Sequence, residues 1–94
     1  MNQLIEDNRF EILNLALNRG IRNVRLFGSM ADDTIHENSD VDLLVDLGPG
    51  ETGFSLGGFL MDLQKLLGRK VDVVTESSLH PLLREKILKQ AIRL

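Results

Sequence analysis

Cysteine is absent from the 94-residue chain, which excludes disulfides and thiolate metal sites and leaves the redox compartment open. No apolar run approaches the roughly 20 residues needed to cross a bilayer. The first residues, Met1-Asn2-Gln3-Leu4-Ile5-Glu6-Asp7, lack the basic-then-apolar pattern of a secretory signal. The expectation is a cytoplasmic protein with no membrane association. A positive excess is missing too, since 11 Lys and Arg face 14 Asp and Glu for a net charge of −3. Broad binding to DNA or RNA rests on a basic face, so no direct nucleic-acid binding is expected. Internal repeats and low-complexity tracts are also lacking.

What is present is ordinary for a soluble globular protein, with 43% hydrophobic and 27% charged residues. The length suits one domain around one modest core. From Leu4 to Arg19, Ile5, Ile12, Leu13, Leu15 and Ala16 recur at roughly helical spacing, and Gly20 supplies a stop. Val24 to Phe27 is a short β-prone run ending at Gly28-Ser29. Met30 to Ser39 reads as a short helical turn plus a polar loop. Asp40 to Leu47 alternates as a strand, with Val41, Leu43 and Val45 on one face and Asp40, Asp42, Leu44 and Asp46 on the other. Pro49 and its neighbouring glycines break that strand. Leu56, Phe59, Leu60, Leu63, Leu66 and Leu67 then predict an amphipathic helix closed by Gly68. Lys70 to Thr75 is a third strand, with Val71 and Val73 on one face and Asp72 and Val74 on the other. Leu79, Leu82, Leu83, Ile87, Leu88, Ala91 and Ile92 mark a last helix, capped by Ser77 or Ser78. This order predicts a small mixed α/β sheet with helices packed on one face.

Three features carry chemistry. Glycine at position 28 lets the chain turn tightly and lets an anion approach the main chain. A helix opening at Ser29 would offer free N–H groups and a hydroxyl to phosphate oxygens. Strand-Gly-Ser-helix turns are also common in folds with no phosphate ligand. Asp40 and Asp42, two residues apart on a strand, share a face. Their charges repel unless a cation lies between them, and hard oxygen ligands of this kind suit magnesium. A solvated strand edge with two unconnected acids is the plain alternative. Against it, this pair begins the strongly apolar strand Val41-Asp42-Leu43-Leu44-Val45. Asp72 interrupts Val71 to Val74 in the same alternating way. If its strand lies beside the Asp40–Leu47 strand, Asp72 joins the other two carboxylates, and such a cluster could hold two ions. An acid on an edge strand stays open as the alternative for Asp72.

The spacing Gly28-Ser29, ten residues, then Asp40-x-Asp42 resembles the DNA polymerase β-like nucleotidyltransferase superfamily, and within it the minimal nucleotidyltransferase (MNT) domains. The stretches Val24-Arg25-Leu26-Phe27-Gly28-Ser29-Met30-Ala31, Ser39-Asp40-Val41-Asp42-Leu43-Leu44-Val45 and Val71-Asp72-Val73-Val74 are similar to that family. So is the closing Leu79-His80-Pro81-Leu82-Leu83-Arg84-Glu85-Lys86-Ile87-Leu88. The resemblance covers nearly the whole chain and implies one such domain over residues 1–94. It implies ATP as substrate, two Mg²⁺ ions, transfer of AMP and release of pyrophosphate. Carried over by position, Gly28 and Ser29 would hold phosphates and Asp40 and Asp42 would ligate metal. Asp72 would ligate one metal and help deprotonate the acceptor hydroxyl. Many such domains are antitoxins of HEPN-family ribonuclease toxins, and some add AMP to a toxin tyrosine.

One segment departs from the family. Gly28-Ser29-Met30-Ala31-Asp32-Asp33 places two acids where Arg-Gly commonly follows the alanine, which removes a charge-assisted phosphate contact and adds repulsion. Arg25 and His36 are the candidate compensating cations. His80 reads as part of the start of the last helix, and Arg84, Lys86, Lys89 and Arg93 as a solvated helix face that could meet an acidic partner. So small a sheet can leave an apolar strip for a partner or a second copy, and a homo- or hetero-oligomer is a further expectation. The rival function is an impaired antitoxin that neutralises its toxin by complex formation. Transfer to a small molecule such as an aminoglycoside ranks last, since the chain lacks the extra domain larger enzymes use for that substrate.

Overall fold

The computed structural model describes residues 2–28, 31 and 40–94. The first helix, α1 (Gln3–Asn18), starts where the Asn2 side chain accepts from Leu4 N–H at 2.7 Å. It buries Ile5, Ile12 and Ala16 on one stripe. After Gly20, strand β1 (Ile21–Phe27) runs antiparallel to β2 (Val41–Leu47). Helix α2 (Gly53–Leu67) is capped by Thr52 and ends at Gly68, whose φ of 64° is the left-handed conformation glycine adopts without strain. It returns the chain to β3 (Val71–Val74), which pairs parallel with β2. A 3₁₀ turn (Glu76–Ser78) leads to α3 (Pro81–Gln90), and a two-residue strand, β4 (Ile92–Arg93), pairs antiparallel with β1. The sheet order is β3-β2-β1-β4, a mixed four-stranded sheet as expected.

The core lies between one face of this sheet and the first two helices. Val41, Leu43 and Val45 of β2, Leu26 of β1 and Val71 of β3 meet Ile5, Ile12 and Ala16 of α1 and Phe59, Leu63 and Leu67 of α2. Leu56, Leu60 and Leu66 pack against this cluster from its margin, so the leucine stripe read from the sequence is the buried stripe of α2. Each fully buried side chain of this size contributes about 1.5–3 kcal/mol. The acids of β2 therefore fall on the opposite face, because alternation sends Asp42, Leu44 and Asp46 away from the helices.

Three readings are corrected. β1 begins at Ile21, not Val24. A bulge between Arg22 and Arg25, with Asn23 at φ 53°, brings Ile21 and Val24 to the same buried side at a spacing of three, which hides the alternation. The last helix stops at Gln90, so Ile92 and Arg93 belong to β4 and Arg93 is not part of a helical face. Its cap is His80 rather than Ser77 or Ser78, with Nδ1 accepting from Leu82 N–H at 3.2 Å and Pro81 at the first helical position. Helix α3 buries none of its residues, and Leu82 and Leu83 are exposed. The reading of Met30–Ser39 as a turn and polar loop lies, except at Ala31, outside the described residues. Among the described residues no helix is long and apolar enough to cross a membrane.

Candidate active site

The sheet face away from α1 and α2 carries the sequence-predicted acids. The parallel register sets Asp42 of β2 directly opposite Asp72 of β3, and the antiparallel register sets Asp42 opposite Phe27, the last residue of β1. Asp40 lies two residues before Asp42, just ahead of β2. Gly28 follows β1 at once, with φ +74°, and Ala31 N–H donates to its carbonyl at 3.1 Å. Its missing side chain has a use, because a Cβ there would stand 2.5 Å from Asp42 Oδ2. Glycine thus leaves the space that the Asp42 carboxylate occupies. Ser29, the other half of the proposed phosphate turn, lies outside the described residues, as do Asp32, Asp33 and His36.

Electrostatically this corner is under load. The Asp42 carboxyl is held above its ordinary pKa, first by burial and then by the negative charges of Asp72 and Asp40, with Lys70 pulling the other way. Lys70 Nζ stands 4.0 Å from Asp40 Oδ2. Sequence reading treated Lys70 only as the start of a strand, and nothing short of the strand pairing shows that it sits among the carboxylates.

Asp42 and Asp72 are brought together, with Asp40 beside them. The three do not close on a common point, for among the described residues no three His, Cys, Asp or Glu groups converge enough to hold a metal ion by themselves. That arrangement still fits Mg²⁺, which usually takes one or two carboxylates and completes its shell with water and substrate phosphates. An open, oxygen-only donor set beside a glycine-lined cradle matches an ion that arrives with a nucleotide.

Because a raised carboxyl pKa means the folded protein resists ionising Asp42, the acid costs stability at neutral pH and ceases to do so once protonated. Metal-free Asp42→Asn is expected to melt above the wild type at pH 7. The gap should close as pH falls through the range in which Asp42 protonates. Thermal scans from pH 7 to pH 4 in EDTA check this.

Arg25, a candidate to replace the missing arginine, is committed elsewhere. Its side chain is 13% exposed, and the guanidinium pairs with Asp46 at 3.0 Å and Glu76 at 3.5 Å. Asn23 Nδ2 donates to the same Asp46 carboxylate at 3.0 Å, and Arg84 of α3 reaches Glu76 at 3.8 Å. Arg25 is therefore a strut tying the bulged β1 to β2 and to the turn after β3.

The sheet face away from α1 and α2 thus carries three acids with a glycine turn against them. The chain belongs to the nucleotidyltransferase domain family, whose profile matches residues 9–94. A candidate protein adenylyltransferase of Methanocaldococcus jannaschii is 36% identical over 88 residues, covering 94% of this chain and 95% of that protein. Among solved structures, a candidate minimal nucleotidyltransferase superimposes with a TM-score of 0.85 at 40% identity, covering 96% of this chain and 92% of the other. A toxin–antitoxin structure with AMP-PNP gives a TM-score of 0.76 at 25% identity, covering 92% and 71%. The family expected from the spaced motifs is thereby borne out.

Proposed function

We propose that this single domain is a Mg²⁺-dependent nucleotidyltransferase antitoxin that moves AMP from ATP to a hydroxyl, a tyrosine of a HEPN-family ribonuclease toxin. The observation that carries the reading is the pairing of Asp42 with Asp72 across β2 and β3, beside Asp40 and the Gly28 turn. Similarity to a protein adenylyltransferase and to a toxin–antitoxin pair with a bound ATP analogue supports the substrate and the partner class.

Asp40 and Asp42 would hold the metal, with Asp72 contributing to one ion. Bound there, Mg²⁺ would supply charge stabilisation for the leaving pyrophosphate and acidify the acceptor hydroxyl. Asp72, exposed at the strand edge, would take the proton as the acceptor oxygen forms its bond to the α-phosphorus and the bond to pyrophosphate breaks. Gly28 and Ser29 would receive phosphate oxygens on the main chain.

Incubation with α-labelled ATP, Mg²⁺ and a HEPN-family toxin tests the proposal. Label should pass to the toxin with the wild type and not with Asp40→Ala/Asp42→Ala. Equal labelling by both would end the enzyme reading. One observation favours the rival, neutralisation by complex formation, namely that Asp32 and Asp33 follow the Gly28-Ser29 turn where the family commonly has Arg-Gly. That rival requires the double variant to protect cells as well as the wild type does.

A further inference from the structure

A triphosphate and three aspartates together carry more negative charge than two divalent cations neutralise. The Gly28-Ser29 turn brings no cation of its own, since Asp32 and Asp33 follow it in the sequence. Arg25, on the same face, is locked between Asp46 and Glu76. Arg69 lies in the bend between α2 and β3, where its Nη1 is buried. Lys70 differs from both. It lies two residues before Asp72 and so on the same face, Nζ is 4.0 Å from Asp40 Oδ2, and the side chain is 79% exposed.

We propose that Lys70 binds the triphosphate of the incoming nucleotide, supplying from β3 the positive charge that the turn after β1 lacks. This rests on the nucleotidyltransferase reading and adds a substrate-binding residue to it. At 4.0 Å and largely exposed, the contact with Asp40 sits at the outer limit of an ion pair and holds Lys70 loosely. A flexible ammonium is a common phosphate partner because it acts as a point charge and needs no fixed fork geometry. Metal ions held by the carboxylates would free Lys70 from Asp40 to meet the phosphates.

Binding measurements decide it without any transfer reaction. MgATP, AMP and Mn²⁺ alone are titrated calorimetrically into wild type, Lys70→Ala and Lys70→Arg. Lys70→Ala should raise the Kd for MgATP about tenfold, in line with loss of one charge-assisted contact, while Lys70→Arg stays within about threefold of wild type. AMP should be affected far less, and Mn²⁺ alone should bind Lys70→Ala as well as wild type or better, because a repelling cation has gone. A general structural defect would instead weaken all three. Wild-type affinity for MgATP in Lys70→Ala, or an equal loss for AMP, overturns the inference while leaving the nucleotidyltransferase reading intact. Failure of the wild type to bind MgATP would overturn both.

Discussion

Asp42→Asn is expected to lower AMP transfer by about 10³-fold or more, about 4 kcal/mol of transition-state stabilisation, while the protein stays folded. The amide keeps the shape of the side chain and removes the charge that would ligate a metal ion. Asp42 is singled out because it is the hub of the group. It is half-buried, opposite Asp72 in register and two residues from Asp40, and both neighbours press on its ionisation. Asp72→Asn should cost less, because Asp72 is exposed and would share its ion with the other two. Single-turnover transfer with labelled ATP and toxin measures both. If Asp42→Asn retained more than a tenth of wild-type transfer, the acids would not be the catalytic centre. Together with the expected higher melting temperature of the same variant, the result describes a site kept for chemistry at a cost in stability.

The second large effect is expected at a residue with no side chain. Gly28→Ala should reduce transfer about 10²-fold and destabilise the fold by about 1–3 kcal/mol. Two causes act together. At φ +74° an alanine is strained, and its Cβ would meet Asp42 Oδ2 at 2.5 Å. The carboxylate must turn aside, and with it a proposed metal ligand. Strain alone lowers stability and leaves nucleotide affinity in the folded fraction unchanged, so calorimetric binding of Mg²⁺ with AMP-PNP separates the two causes. Wild-type affinity in Gly28→Ala would mean that Asp42 relaxes without harm and that the close approach has no functional weight.

Long, regular patterns were the legible part of this chain. The α2 stripe from Leu56 to Leu67 with its closing Gly68 became a helix packed by that stripe. The alternation around Asp40 and Asp42 separated core-facing Val41, Leu43 and Val45 from the acids, because period two leaves only two faces to choose between. Features decided by distant pairing were not legible. Ile92-Arg93 is too short to show a period and is a strand only because Arg25 and Leu26 lie opposite. Asn23 in the left-handed region shifts the phase of β1, so Ile21 reads as loop until the bulge is seen. Arg25 looks like a free cation in sequence and is an engaged one in the fold. The juxtaposition of Lys70 with Asp40 arises at the N-terminal ends of two parallel strands, and their pairing is a product of the whole β2-α2-β3 crossover.

The central claim is that Asp40, Asp42 and Asp72 form a metal–nucleotide site on the sheet face away from α1 and α2. Manganese binding read by electron paramagnetic resonance, with and without AMP-PNP, tests it most directly. The wild type should bind Mn²⁺ weakly alone and far more tightly with the nucleotide, with free-ion signal lost in proportion to protein. Asp40→Asn/Asp42→Asn should leave the free-ion signal where nucleotide alone sets it. Equal, nucleotide-enhanced Mn²⁺ binding by wild type and double variant would contradict the account.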